Sequence, residues 1–158
     1  MSRLLIQQYL NYLHDLRRVG GSRRKPVVRE AFKDLLKDWA LAHDLIFVSE
    51  YEIVTPTQER LYVDGALLNA LSVPFGYWEA EDENDDLDSE IATKLRRGYP
   101  QDNIIFENST KAVLIQARTE VMRCAVDDVE MLEKLLRFFF GRTKRKRPGI
   151  SPSTLLTE

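Results

Sequence analysis

The chain has 158 residues, 44% hydrophobic and 30% charged, with a formal net charge of -2, which suits one globular domain with its own core and solvated ends. No apolar run reaches the roughly 20 residues that span a bilayer, and the N-terminal MSRLLIQQYLNYLHDLRR carries charge where a secretory signal carries an apolar block, so a soluble, cytoplasmic protein is expected. One cysteine, Cys124, and two histidines, His14 and His43, exclude an internal disulfide and leave any metal to carboxylates.

Residues 3–18 read as a helix with Leu4, Leu5, Tyr9, Leu13 and Leu16 near one face, stopped by Gly20 and Gly21. Residues 22–25 form a basic loop, and Pro26 opens a second helix whose Val28, Phe32, Leu35, Leu36 and Trp39 make a single stripe. The period then shortens. Residues 45–54, 60–68 and 75–81 are β-branched or aromatic runs separated by turn residues, and they predict an antiparallel meander of three strands. Asp85 and Asp86 start a helix carrying Leu87, Ile91, Lys94 and Leu95, which Gly98, Tyr99 and Pro100 end. Strands at 103–106 and 112–116 and a helix over 127–140 complete the order ααβββαββα. That order predicts an α/β domain over residues 1–140, a mixed sheet of about five strands flanked by helices. Residues 141–158, with five bases among 142–147 and then Pro, Gly and Ser, read as a basic linker or tail toward a further domain, with a nuclear-import signal as the lesser alternative.

The charge is unevenly spread. Residues 1–25 hold Arg3, Arg17, Arg18, Arg23, Arg24 and Lys25 against Asp15 alone, whereas residues 81–90 hold seven acids and no base. A protein that grips a polyanion and binds divalent cations needs both kinds of surface; solvated faces are the plainer alternative. In a strand, Glu79 and Glu81 project from one side and Trp78 and Ala80 from the other. Asp64 lies on the preceding strand of the meander, which brings it beside Glu79. Three like-charged groups on neighbouring strands point to a bound Mg²⁺ or Mn²⁺, the alternative being ordinary carboxylates of a half-exposed strand.

The runs VDGAL (63–67), GYWEAED (76–82), DDLDSEI (85–91), GYPQDNIIFE (98–107) and VLIQ (113–116) resemble the PD-(D/E)xK nuclease superfamily. The closest likeness is to the N-terminal nuclease-like region of large single-chain restriction-modification proteins that carry an N6-adenine methyltransferase. The resemblance covers most of residues 25–140. It implies the restriction-endonuclease-like fold, Asp64 as the first metal-binding aspartate, Glu79 as the second acid, and hydrolysis of DNA. It also implies double-stranded DNA as partner, a linked methyltransferase or translocase, and dimerisation, since cutting both strands takes two sites. The chain departs from the pattern at Glu81, where relatives carry a lysine that orients the attacking water and offsets phosphate charge. Two outcomes follow: Glu81 binds metal or acts as general base, or the site is silent and the fold retains only DNA or domain binding. Lys94 is a third source of charge, although three helical turns separate it from the strand.

Glu30, on the second helix, is a candidate extra acid or a solvated helix acid. Gln116 ends a strand beside the expected site and is a candidate supporting residue, with a backbone bond as the alternative. Arg17, Arg18, Arg23, Arg24, Lys25, Arg96 and Arg97 are candidates for DNA phosphate contacts. No Gly-rich phosphate loop, G-x-S-x-G elbow, or methyltransferase or helicase signature occurs, and neither histidine supports catalysis by Cys124.

Overall fold

The computed structural model describes residues 2–19 and 24–141. Two helices come first, α1 (Ser2–Val19) and α2 (Arg24–Ala42). On α1 the buried residues are Ile6, Tyr9 and Leu13, with Leu5, Leu10 and Leu16 packed against them, the three-and-four spacing of one helix face. Leu4, assigned to that face by sequence, is 59% exposed because two positions, about 200° of rotation, separate it from Ile6. The helix α2 buries its whole expected stripe from Val28 to Trp39, joined by Ala31 and Ala40.

The sheet opens with the antiparallel meander of β1 (Ile46–Val54), β2 (Arg60–Leu68) and β3 (Pro74–Ala80). From β3, α3 (Leu87–Arg97) crosses to β4 (Asn103–Glu107), which runs parallel to β3. Then β5 (Lys111–Gln116) and β6 (Thr119–Ala125) add antiparallel strands before α4 (Val129–Phe140). Strand order across the sheet is β1-β2-β3-β4-β5-β6. A parallel pair needs a crossover connection, and α3 supplies it.

The sixth strand corrects the expectation of about five. With sequence TEVMRCA and largely exposed side chains, β6 is an edge strand without an apolar run. The hairpin turn before it holds Ala117 (φ 50) and Arg118 (φ 67) at positive φ, where the usual sequence signal is Asn-Gly.

Helices α1, α2 and α4 cover one face of the sheet, packing on Leu67, Trp78, Ile105, Ala112 and Leu114. On the other face α3 sets Leu87 and Ile91 against Ile104, Phe106, Val113 and Ile115. Alternation along β4 explains the division, since Ile104 and Phe106 meet α3 while Ile105 and Glu107 point to the opposite face. The fully buried rings of Phe32, Phe106 and Phe139 each contribute roughly 1.5–3 kcal/mol of transfer free energy. Among the described residues no helix is long and apolar enough to cross a membrane. Arg23 and the basic run 142–147 lie outside the described residues.

An irregularity in β1 and β2 shapes the site. Phe47 and Gly65 belong to the face of Trp78: a Cβ on Gly65 would meet the Phe47 ring at 2.3 Å and the Trp78 ring at 3.0 Å. Tyr51, Leu61 and Val63 instead pack with Tyr99 and Tyr77 on the α3 face. In a regular strand residues 63 and 65, or 47 and 51, share a face. Both strands therefore change face between them, at Glu50 (φ 51) and Asp64, which lie between the paired positions Ser49↔Gly65 and Tyr51↔Val63.

Candidate active site

Strands β2 and β3 separate where the acids stand. Their ladder runs through Leu67↔Gly76, Ala66↔Tyr77 and Gly65↔Trp78, while β3 continues beside β4 as Glu79↔Phe106 and Ala80↔Glu107. The acids fill the opening reciprocally. Asp64 donates its backbone N–H to Glu79 Oε1 at 2.9 Å, and Asp64 Oδ2 accepts from the Ala80 N–H at 2.8 Å. Each carboxylate thus satisfies a backbone donor that strand separation would leave unpaired.

On the α3 face, Lys94 closes the cluster. Its ammonium donates to Glu79 Oε2 at 2.6 Å and also to Glu81 Oε1. It lies 5.7 Å from the centre of the Tyr99 ring. The sequence separation that made Lys94 a distant candidate is recovered by packing: α3 folds back over β3 and β4, with Leu87 and Ile91 anchored below and Lys94 one turn further along that face. Gly98 ends the helix in the left-handed region at φ 104, its N–H donating to Leu95 O and that of Tyr99 to Lys94 O.

Burial, and then the charge of Asp64, push Glu79 up to about 7 against the pull of Lys94. Glu81 is also raised by burial, with Lys94 opposing and Glu90 adding to the rise. Burial would lower the Lys94 ammonium, but its bonds and charge contacts with Glu79 and then Glu81 hold it above its ordinary value. We take Lys94 as charged, because two carboxylates converge on it and its side chain is 18% exposed.

A cavity of about 430 Å³ opens on the other side of Asp64, lined in part by Arg29, Glu30, Lys33, Glu81 and Glu107. Glu107 is buried there. Its Oε1 accepts from Trp78 Nε1 at 3.1 Å and its Oε2 from the Ser109 N–H at 2.7 Å. Burial, opposed by those bonds and by Arg29 and reinforced by Asp64, raises it to about 7. Sequence reasoning passed over Glu107 and Arg29; the available signal was one acid closing the apolar run of β4.

Among the described residues no group of three or more His, Cys, Asp or Glu is arranged to hold a metal ion. The donor chemistry of Asp64 and Glu79 nevertheless suits a hard divalent cation: two carboxylates meet at a strand opening, and the charge of one raises the proton affinity of the other.

No protein-family model and no curated protein matches the sequence. Among solved structures, a cryo-electron microscopy structure of a DrdV–DNA complex matches with a TM-score of 0.84 and 40% identity over 92% of this chain. The fold is restriction-endonuclease-like. This restriction-endonuclease-like domain covers 14% of the length of that DrdV chain.

Within this fold the sequence candidates separate into groups. Asp64, Glu79, Glu81 and Lys94 come together. Glu30 lines the cavity beside Asp64, its carboxylate 3.3 Å from the Lys33 ammonium. Gln116 lies away from them, at the other end of β4 and β5, where it donates to Asn103 Oδ1 and Phe138 O and ties the sheet to α4. Four strand residues, roughly 13 Å, separate its row from that of Glu107. Arg97 pairs with Glu59 at 2.6 Å, Arg96 reaches Thr93 Oγ1, and Arg17 donates to Ser109 O. The side chains of Arg24 and Lys25 lie outside the described residues.

Proposed function

We propose that this domain is the metal-dependent DNA-cleaving module of a larger restriction-modification protein, hydrolysing phosphodiester bonds of double-stranded DNA. The observation that carries this function is the ammonium of Lys94 held at Glu79 and Glu81 beside Asp64, which gives two acids and a cation although position 81 is a glutamate. Asp64 and Glu79 would hold Mg²⁺ or Mn²⁺, which when bound supplies a Lewis acid and an acidified water. Lys94 offsets charge on the scissile phosphate, as a lysine at position 81 would. Glu81 orients that ammonium and, with its proton affinity raised by burial, is placed to accept a proton.

Exposed Arg17, Arg18, Arg96 and Arg97 are the described candidates for holding the DNA backbone without reading its sequence. The similar DrdV structure is a complex with DNA, which supports DNA as the partner. The 14% coverage of that chain fits a module of a longer protein; on this reading methyltransferase or translocase parts adjoin it, and two modules pair to cut both strands. A silent DNA-binding domain is the second reading, favoured by the fact that Lys94 finds both its carboxylate partners within the protein.

Supercoiled plasmid incubated with wild type, Asp64→Ala and Lys94→Met, each with Mg²⁺, Mn²⁺ or chelator, separates the two. Cleavage requires nicking by the wild type that chelator abolishes and both substitutions remove. Salt-sensitive DNA binding without nicking in any metal selects the silent domain.

A further inference from the structure

We infer that Lys94 is an internal cation that competes with the divalent metal for Glu79, so that the free domain holds its metal site closed by its own side chain. The inference rests on the nuclease function proposed above and follows from counting oxygens. Of the four carboxylate oxygens on Asp64 and Glu79, Asp64 Oδ2 is taken by the Ala80 N–H and Glu79 Oε1 by the Asp64 N–H. Glu79 Oε2 accepts from Lys94 at 2.6 Å. Only Asp64 Oδ1 has no hydrogen-bond donor among the described residues. An oxygen that accepts one N–H keeps a second lone pair for a metal, but at Glu79 Oε2 a metal would meet the Lys94 ammonium at 2.6 Å, so sharing both acids requires that like charge to move away.

Glu81 gives the displaced ammonium somewhere to remain. Lys94 already donates to Glu81 Oε1, and the Glu81 side chain is 3% exposed. Releasing Glu79 moves Lys94 from a bridge between two carboxylates to a pair with one. Its charge stays at the site, as phosphate neutralisation requires. Glutamate at position 81 is on this account the resting place of a lysine that yields to metal. The closed state also relieves repulsion between the acids without metal, since a charge-assisted bond to a buried carboxylate is strong and costly to leave unmade.

The test measures metal affinity without DNA. Ca²⁺ and Mn²⁺ are titrated calorimetrically into wild type, Lys94→Met, Lys94→Gln and Lys94→Arg, with far-UV circular dichroism as the folding control. Competition requires Lys94→Met and Lys94→Gln to bind at least about tenfold more tightly than wild type, the scale of one lost charge-assisted bond. Lys94→Arg, which keeps the charge, should bind no more tightly than wild type. Equal or weaker binding by both neutral variants, with measurable binding by wild type, overturns the competition and leaves the metal-dependent nuclease standing. No binding by any of the four proteins overturns both. If Lys94→Met does not fold, Lys94→Gln alone decides by the same comparison.

Discussion

Glu79 and Glu107 stand on neighbouring strands, 4% and 1% exposed, and burial pushes both up to about 7. They answer that burial differently. Glu107 takes one neutral donor on each oxygen, from the Trp78 indole and the Ser109 backbone, so the arrangement is fixed by a ring and a turn. Glu79 takes one backbone donor and one ammonium on a flexible stem, with the Tyr99 hydroxyl also facing it. A fixed set of neutral donors holds an acid in place, whereas an ammonium can exchange with another cation. The comparison therefore separates an acid that fastens β3 to β4 from an acid built to change partners.

The largest effect is expected from reversing the charge that holds the exchangeable side. Glu81→Lys removes a buried carboxylate and sets a second ammonium against Lys94, and it should lower the unfolding free energy by about 3–5 kcal/mol. Urea unfolding measures the loss. Combining it with Lys94→Glu restores one opposite-charge pair but leaves Glu79 facing a new acid, so recovery should be partial; no recovery would mean that the pair is not the source of the loss.

The fixed side is sharpened by pH. Glu107 has a folded value of about 7 against an ordinary 4.5, so between these values the folded state binds the proton more tightly. Its contribution to stability is fully present below about 4.5 and is lost as pH rises through about 7. The full loss is at most about 3 kcal/mol. Urea midpoints from pH 4.5 to 8 should fall more steeply for wild type than for Glu107→Gln, which cannot titrate; parallel curves would remove Glu107 as the cause. Smaller still is the loss of its hydrogen bonds. Glu107→Ala leaves the Trp78 indole and the Ser109 N–H without their acceptor and should cost about 1–3 kcal/mol at a pH below the titration. Glu107→Gln keeps one acceptor oxygen and should lose less.

Patterning made much of this visible beforehand, and its limits were physical. The stripe of α2 reports one face because consecutive buried positions fall on a single helical side. Asp64, Glu79 and Glu81 stood out because the two-residue period of a strand puts Glu79 and Glu81 together and a meander adds Asp64. The reach of Lys94 was hidden, since it depends on α3 lying back across the sheet, a packing relation that no local period records. Glu107 was hidden for a related reason: an acid at a strand end looks solvated until α2 and the turn at Ser109 enclose it. Gln116 admitted two readings because adjacency in the sheet does not say which end of the strand faces the site, and it makes the backbone bond that was the alternative.

The missed sixth strand yields the smallest effect. Ala117 and Arg118 both sit at positive φ between the paired Gln116 and Thr119, as a two-residue type I′ turn demands. Such residues resist that conformation, and the protein holds them there by bonds from outside the hairpin: the Ala117 N–H donates to Asp102 O and the Arg118 N–H to Gln101 O. Since those bonds use only backbone, Ala117→Asn with Arg118→Gly keeps them while choosing residues that enter the left-handed region readily. The double variant should gain about 1 kcal/mol in urea unfolding, without altering the Glu79 or Glu107 environments on the neighbouring strands. A loss instead would mean that the Arg118 side chain, rather than its backbone, secures the edge strand. The edge would then depend on a specific contact, and the silence of the sequence at β6 would reflect more than an unusual turn.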